Sequence, residues 1–252
     1  SLGGTGASRT ITLTPVADAS GSTTITVSVN DGSTTTSDTF TLTVNAQNDA
    51  PTISDISNQS TNEDTATSAI AFTIGDVETA AGSLTVTASS SDTGVIAAGG
   101  ISLGGSGSSR TITLTPVADA NGSTTITVTV NDGTTTTSDT FVLTVTAVND
   151  APTISDISNQ STNEDTATSA IGFTIGDVET AAGSLVVSAS SSDTGVVAAG
   201  GISLGGTGAS RTITLTPVAD ASGSTTITVT VDDGTTTTDD TFVLTVNAQN
   251  DA

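Results

Sequence analysis

The side chains able to do chemistry in this sequence are almost all carboxylates and hydroxyls. There are 26 Asp and Glu residues against three basic ones, with no His and no Cys. The acids fall at a few repeated places: Glu63-Asp64, Asp76 with Glu78, Asp119, Asp132 and Asn149-Asp150. Copies stand at Asp18, at Asn48-Asp49, at Glu164-Asp165, Asp177, Glu179, Asp220 and Asp233, and at Asn250-Asp251. Carboxylates with amide and backbone carbonyl oxygens are what calcium requires, roughly six to eight oxygens around one point. Without a cation such groups repel one another, so their grouping costs stability unless it is neutralised. Asp76-Val77-Glu78 is spaced so that both acids point the same way in an extended backbone, which would make a paired oxygen donor. Asp55, Asp92 and Asp139 read instead as turn caps or solvated side chains, and Arg110 as one half of a cross-strand pair with an acid.

The same inventory excludes other chemistries. Without His, Cys, Lys or Tyr, a nucleophile or general base would have to be a carboxylate or a hydroxyl, so the expectation is no enzyme. A net charge of -23 argues against nucleic acid or an anionic membrane surface as partner, because both select basic patches. The apolar runs are too short to span a bilayer, so no membrane insertion is expected in this segment. Ser102-Leu103-Gly104-Gly105-Ser106-Gly107 has no following Lys and leads into a strand, so it reads as a hairpin turn, not a phosphate loop. Sugar sites usually present aromatic platforms, and five Phe at inward strand positions are the only aromatics here.

The elements that must hold the acids are strands. Thr and Ser alternate with Ile, Val, Leu and Phe at period two, and no helix-period segment competes. Thr10 to Thr14, Thr23 to Val29 and Thr39 to Val44 each place apolar residues on one face. Ile53 with Ile56, Ile70 to Ile74, Leu84 to Ala88, and Val95 with Ile101 and Leu103 supply further strands, while Asn62-Glu63-Asp64-Thr65 interrupts them. Arg9, Arg110 and Arg211 recur every 101 residues (110 − 9 and 211 − 110) in the same phrase. Residues 51–151 and 152–252 differ at 11 aligned positions, and residues 1–50 differ from 203–252 at five. The expectation is an all-β chain of seven- to eight-stranded β-sandwich modules arranged end to end. Its parts are residues 1–50, the C-terminal half of a repeat forming an incomplete sandwich, and complete repeats at 51–151 and 152–252. Residue 1 falls in mid-repeat, so the first part is expected to expose a sheet face, either as a window cut from a longer chain or awaiting completion by another molecule. Asn149-Asp150-Ala151-Pro152 then reads as the linker, its proline fixing φ and holding the preceding alanine extended.

The order Asn62-Glu63-Asp64, Asp76-x-Glu78, Ala118-Asp119, Asn131-Asp132-Gly133 and Val145-x-Ala147-x-Asn149-Asp150-Ala151-Pro152 resembles the cadherin repeat. It is most similar to the cadherin-like and immunoglobulin-like tandem repeats of large bacterial surface adhesins. The resemblance implies calcium (Ca2+) held between consecutive modules. For the second seam it implies Glu63, Asp119, Asn149 and Asp150 from the upstream side and linker, with Asp177, Glu179 and Asp233 from the downstream side. For the first seam it implies Asp18, Asn48, Asp49, Asp76, Glu78 and Asp132. The chain departs from the family in having Ala147 or Ala46 near the place of an acid before the linker Asn, and only one Asp in the Asp119 motif. One or two ions per seam are therefore expected instead of three. The implied role is an extracellular, cell-surface spacer whose partners are neighbouring repeats of the same chain. A self-assembling filament, in which other copies complete the first repeat, is the alternative.

Overall fold

The computed structural model describes residues 1–250. It divides into two compact units, Ser1–Ala147 and Val148 onwards. In the first unit, β1 (Leu2–Thr5) pairs with β2 (Ser8–Ile11), and β3 (Gly21–Asn30) forms a ten-pair hairpin with β4 (Thr35–Val44). Eight strands follow: β5 (Thr52–Ile53), β6 (Gln59–Asn62), β7 (Ile70–Gly75), β8 (Thr85–Ser90), β9 (Ile101–Ser106), β10 (Ser109–Leu114), β11 (Gly122–Asn131) and β12 (Thr136–Thr146). They form two four-stranded sheets, ordered β5-β7-β10-β9 and β6-β12-β11-β8. The second unit repeats this pattern with β13 (Thr153–Ile154), β14 (Gln160–Asn163), β15 (Ile171–Gly176), β16 (Val186–Ser191), β17 (Ile202–Thr207), β18 (Ser210–Leu215), β19 (Gly223–Asp232) and β20 (Thr237–Asn247). Its sheets are ordered β13-β15-β18-β17 and β14-β20-β19-β16.

Alternation explains the core. On β11 the residues Ile126, Val128 and Val130 turn inward, and on β12 Phe141, Leu143 and Val145 do so, all buried. They meet Phe72, Ile74, Ile112 and Leu114 from the facing sheet in one cluster, and the second unit has the equivalent cluster around Phe242. The outward positions are mostly Thr and Ser, whose branched or short side chains suit a strand surface. Some bond across the ladder, as Thr129 Oγ1 and Ser138 Oγ do at 2.8 Å.

Several expectations change. The strand expected around Ile53 and Ile56 is only Thr52–Ile53; Ile56 is buried beyond it, its N–H donating to Asp139 Oδ2 at 2.8 Å. Gln59–Asn62, which carries no apolar pattern, is a strand because it pairs in parallel with Leu143–Thr146. Val95 precedes β9 instead of sharing a strand with it, and it fills the core with Ile96 ahead of a short 3-10 turn (Ala98–Gly100). The glycine-rich stretch is mostly strand, and only Gly107-Ser108 forms the hairpin loop. Gly105 is required there: at φ 81 its Cβ would sit 2.3 Å from the Ser109 carbonyl oxygen.

Arg110 pairs with carbonyls instead of an acid. Its Nε donates to Gly107 O at 3.0 Å and its Nη2 to Ala81 O at 3.1 Å, so the cation closes two loops whose carbonyls lack ladder partners.

The half-repeat supplies an internal control. Phe40 is 43% exposed and Val29 69%, whereas their copies Phe141 and Val130 are 2% and 0%. Truncating a core Phe to Ala costs about 3–5 kcal/mol where the residue is buried. Phe141→Ala is therefore expected to lower the first unfolding transition in scanning calorimetry markedly. Phe40→Ala is expected to cost less than about 1 kcal/mol.

Candidate functional site

The β11·β12 register separates each repeat's acids into two groups. Asp132 follows the end of β11 where Asn131 pairs with Thr136, and Asn62 pairs with Thr146 at the opposite end of β12. Eleven residues of strand lie between them, about 34 Å of rise. One end therefore carries Asp76, Glu78 and Asp132, and the other carries Glu63, Asp64 and Asp119.

At the first end the local geometry differs from the extended pair expected for Asp76-Val77-Glu78. Asp76 caps a bend: its Oδ1 accepts Glu78 N–H at 3.0 Å and Thr79 N–H at 2.6 Å. Strand β7 stops one residue earlier at Gly75, so the alternation that would have aligned the two acids is gone. Asp76 Oδ2 is buried and has no hydrogen-bond partner. Its copy in the second unit behaves identically, with Asp177 Oδ1 capping Glu179 and Thr180 and Asp177 Oδ2 buried and unpartnered.

The linker docks on this end. Asn48 Nδ2 donates to Asp132 Oδ2 at 2.9 Å, and Asp49 N–H donates to Glu78 Oε2 at 3.1 Å. Asn149 and Asp150 repeat both bonds to Asp233 and Glu179, at 2.9 and 3.0 Å. In the first unit Asp49 and Glu78 line a cleft of about 250 Å³ together with Asp18. The structure thus brings together Asp18, Asn48, Asp49, Asp76, Glu78 and Asp132. In the second unit it gathers Asn149, Asp150, Asp177, Glu179 and Asp233.

At the other end Glu63 is 2% exposed and Glu164 6%, unusual burial for a carboxylate. Glu164 Oε1 accepts the Gln249 N–H, so the acid receives the chain as it leaves β20. Asp64 Oδ1 accepts Asp119 N–H at 3.2 Å, and Asp165 does the same for Asp220 at 3.1 Å. Among the described residues, the non-glycine positive φ angles belong to Asp18, Asp64, Asp119, Asp165 and Asp220, all between 55 and 58. Asn250 is exposed, and Asp251 lies outside the described residues.

Models of a family described as bacterial Ig domain match residues 48–146 and 149–247. The chain belongs to the bacterial Ig domain family. No curated protein matches its sequence. Among solved structures it is similar to protocadherin gammaB7 EC3-6, at 17% identity and TM-score 0.44, over 92% of this chain and 59% of that one. It is also similar to the titin domains Z1Z2 in complex with telethonin, at 14% identity and TM-score 0.38, over 81% and 100%. An endo-fucoidan hydrolase from glycoside hydrolase family 107 aligns at 18% identity and TM-score 0.37, over 94% of this chain. The chain spans 35% of that hydrolase's length.

Within each bacterial Ig domain the donors are oxygens alone, which suits a hard cation and no thiolate- or imidazole-seeking metal. A buried carboxylate oxygen without a donor is costly, and a cation or an ordered water removes the cost. Asp76 and Asp177 each offer one such oxygen to a metal. Asp132 and Asp233 are already engaged. Asp132 Oδ1 accepts Thr134 and Thr135 N–H at 2.6 Å each, and its Oδ2 accepts Thr135 Oγ1 at 2.8 Å as well as Asn48. The hydroxyls of Thr135 and Thr236 were not singled out by sequence, although an acid three residues before a Thr in an Asx turn is a recognisable sign.

These bonds hold the carboxyls of Asp132 and Asp233 far below the usual aspartate range; the largest contributors are the Thr135 and Thr236 N–H groups, followed by the amides of Asn48 and Asn149. Asp31, the same turn in the half-repeat, is also lowered by the Thr34 and Ser33 N–H groups, but no linker amide reaches it. A depressed folded-state value means the stabilisation is complete above the unfolded value of about 3.9 and is lost as pH falls below it. In a carbon-detected pH titration Asp132 is expected to stay ionised through pH ~4, where an unperturbed Asp is half protonated. Asn48→Ala is expected to move its midpoint upward and leave Asp31 unchanged.

Proposed function

We propose that this chain is a spacer segment of an extracellular surface protein, in which calcium at the inter-domain linkers restricts bending. The observation that carries the reading is the buried, unpartnered Oδ2 of Asp76, found again at Asp177 beside the linker of the second domain. Asp76, Glu78, Asp49 and Asp18 would hold the ion in the first unit, and Asp177, Glu179 and Asp150 in the second. Asn48 and Asp132, with Asn149 and Asp233, would position the linker through the amide-to-carboxylate bonds they make. Glu63, Asp64 and Asp119 are the acids that the preceding domain would offer to the linker following it, as Glu164, Asp165 and Asp220 would in turn. A bound cation would offset the repulsion among these carboxylates and add stability by mass action.

The tandem bacterial Ig domains and the acidic, aromatic-poor surface support a mechanical role over a catalytic one. Among the described residues no helix is long and apolar enough to cross a membrane. The second reading is a self-assembling filament in which another copy packs against the β3·β4 face, where Phe40 and Val29 are exposed. Sedimentation at several protein concentrations in calcium separates the two, since concentration-dependent polymers count against the spacer.

Calcium is expected to raise the melting temperature and to lower flexibility in small-angle scattering relative to chelator. Equal curves in both conditions would defeat the calcium reading. Asp76→Asn with Asp177→Asn keeps the Oδ1 cap and removes the charge, and is expected to abolish the calcium-dependent shift with the sandwiches still folded. Asp150→Ala is expected to weaken the calcium-dependent shift contributed by the second linker alone.

A further inference from the structure

The two linkers make the same protein-to-protein hydrogen bonds to the domain that follows them. Asn48 Nδ2 reaches Asp132 Oδ2 at 2.9 Å and also its neighbour's carbonyl, Asp49 O, at 2.7 Å. Asn149 makes the matching pair at 2.9 and 2.7 Å. One side-chain amide thus ties the linker backbone and the Asp132 turn together. The next N–H along, that of Asp49 or Asp150, ends on Glu78 or Glu179. Beyond it one exposed residue, Ala50 or Ala151, leads to a buried proline, Pro51 or Pro152, so a single residue separates latch from core. The acceptor side is rigid as well: Asp132 is fixed by three further donors from its own turn, so the amide bonds to a pre-set oxygen and little entropy remains to be lost.

We propose that Asn48 and Asn149 are metal-independent latches that make each linker part of the domain downstream of it. The latch does not depend on the calcium reading. Removing the cation leaves it closed, so the linker segment from Asn149 onward remains ordered in chelator, with the Asp150 N–H still held on Glu179. A cation therefore meets a linker already in place, and the ordering entropy of residues 149–152 is lost at folding instead of at binding.

The test is amide hydrogen exchange of the full chain in chelator, followed by mass spectrometry. The segments around Ala46-Gln47-Asn48 and Ala147-Val148-Asn149 differ in sequence and are resolved from one another. In the unaltered chain the Asp150 amide is expected to exchange at least about tenfold more slowly than an unstructured amide. Asn149→Ala is expected to bring it close to the unstructured rate while the β19 and β20 amides keep their protection and the Asp49 amide is unaffected. Asp233→Asn serves as the second variant: it keeps the turn's Oδ1 acceptor but can present an amide to Asn149, and is expected to give the same local loss. An unprotected Asp150 amide in the unaltered chain overturns the proposal, and so does unchanged protection in both variants. Absence of any calcium effect in scattering would sink the spacer's calcium and leave the latch standing.

Discussion

The ten-pair register between β11 and β12, and between β19 and β20, is the constraint from which the rest follows. Ladder hydrogen bonds fix which residues oppose one another, and a slip of one position would turn either Ile126 and Val128 or Phe141 and Leu143 outward. Because the core forbids that slip, the turn after β11 and the end of β12 are held a strand's length apart. Every acid of interest sits on a short connection at one of these two ends. Chemistry at the ends is thus placed by apolar packing in the middle, and the candidate ligands need no framework of their own.

The strand pattern was legible where burial imposes period two. Ile70, Phe72 and Ile74, or Val128 and Val130, announce themselves because one face is dry and the other wet. Gln59–Asn62 did not, since its membership of the sheet is decided by a parallel partner more than eighty residues away and not by its own side chains. Val95 misleads for the opposite reason: with Ile96 it is buried from a turn, so its apolar character carries no strand period. Charge alone points Arg110 to an acid, whereas its guanidinium donates to the loop carbonyls of Gly107 and Ala81.

For the acids, type and approximate grouping could be read and conformation could not. That Asp76 and Glu78 act near each other follows from their spacing. That Asp76 spends one oxygen on capping a bend, leaving the other buried without a donor, depends on where β7 ends. The sequence pattern offers Asn48 as an oxygen ligand, and its nitrogen is the atom engaged with Asp132.

The five aspartates at positive φ carry a further consequence. A left-handed backbone admits glycine at no steric cost and asparagine or aspartate at little, and it penalises most other residues. Positions such as Asp119 and Asp220 therefore have a short list of tolerated replacements, and the list runs from charged to neutral without disturbing the turn. Each of these turns can lose or regain a negative charge by a single codon change and keep the sandwich around it folded, so the charge carried at a domain's end is free to drift while its fold is not.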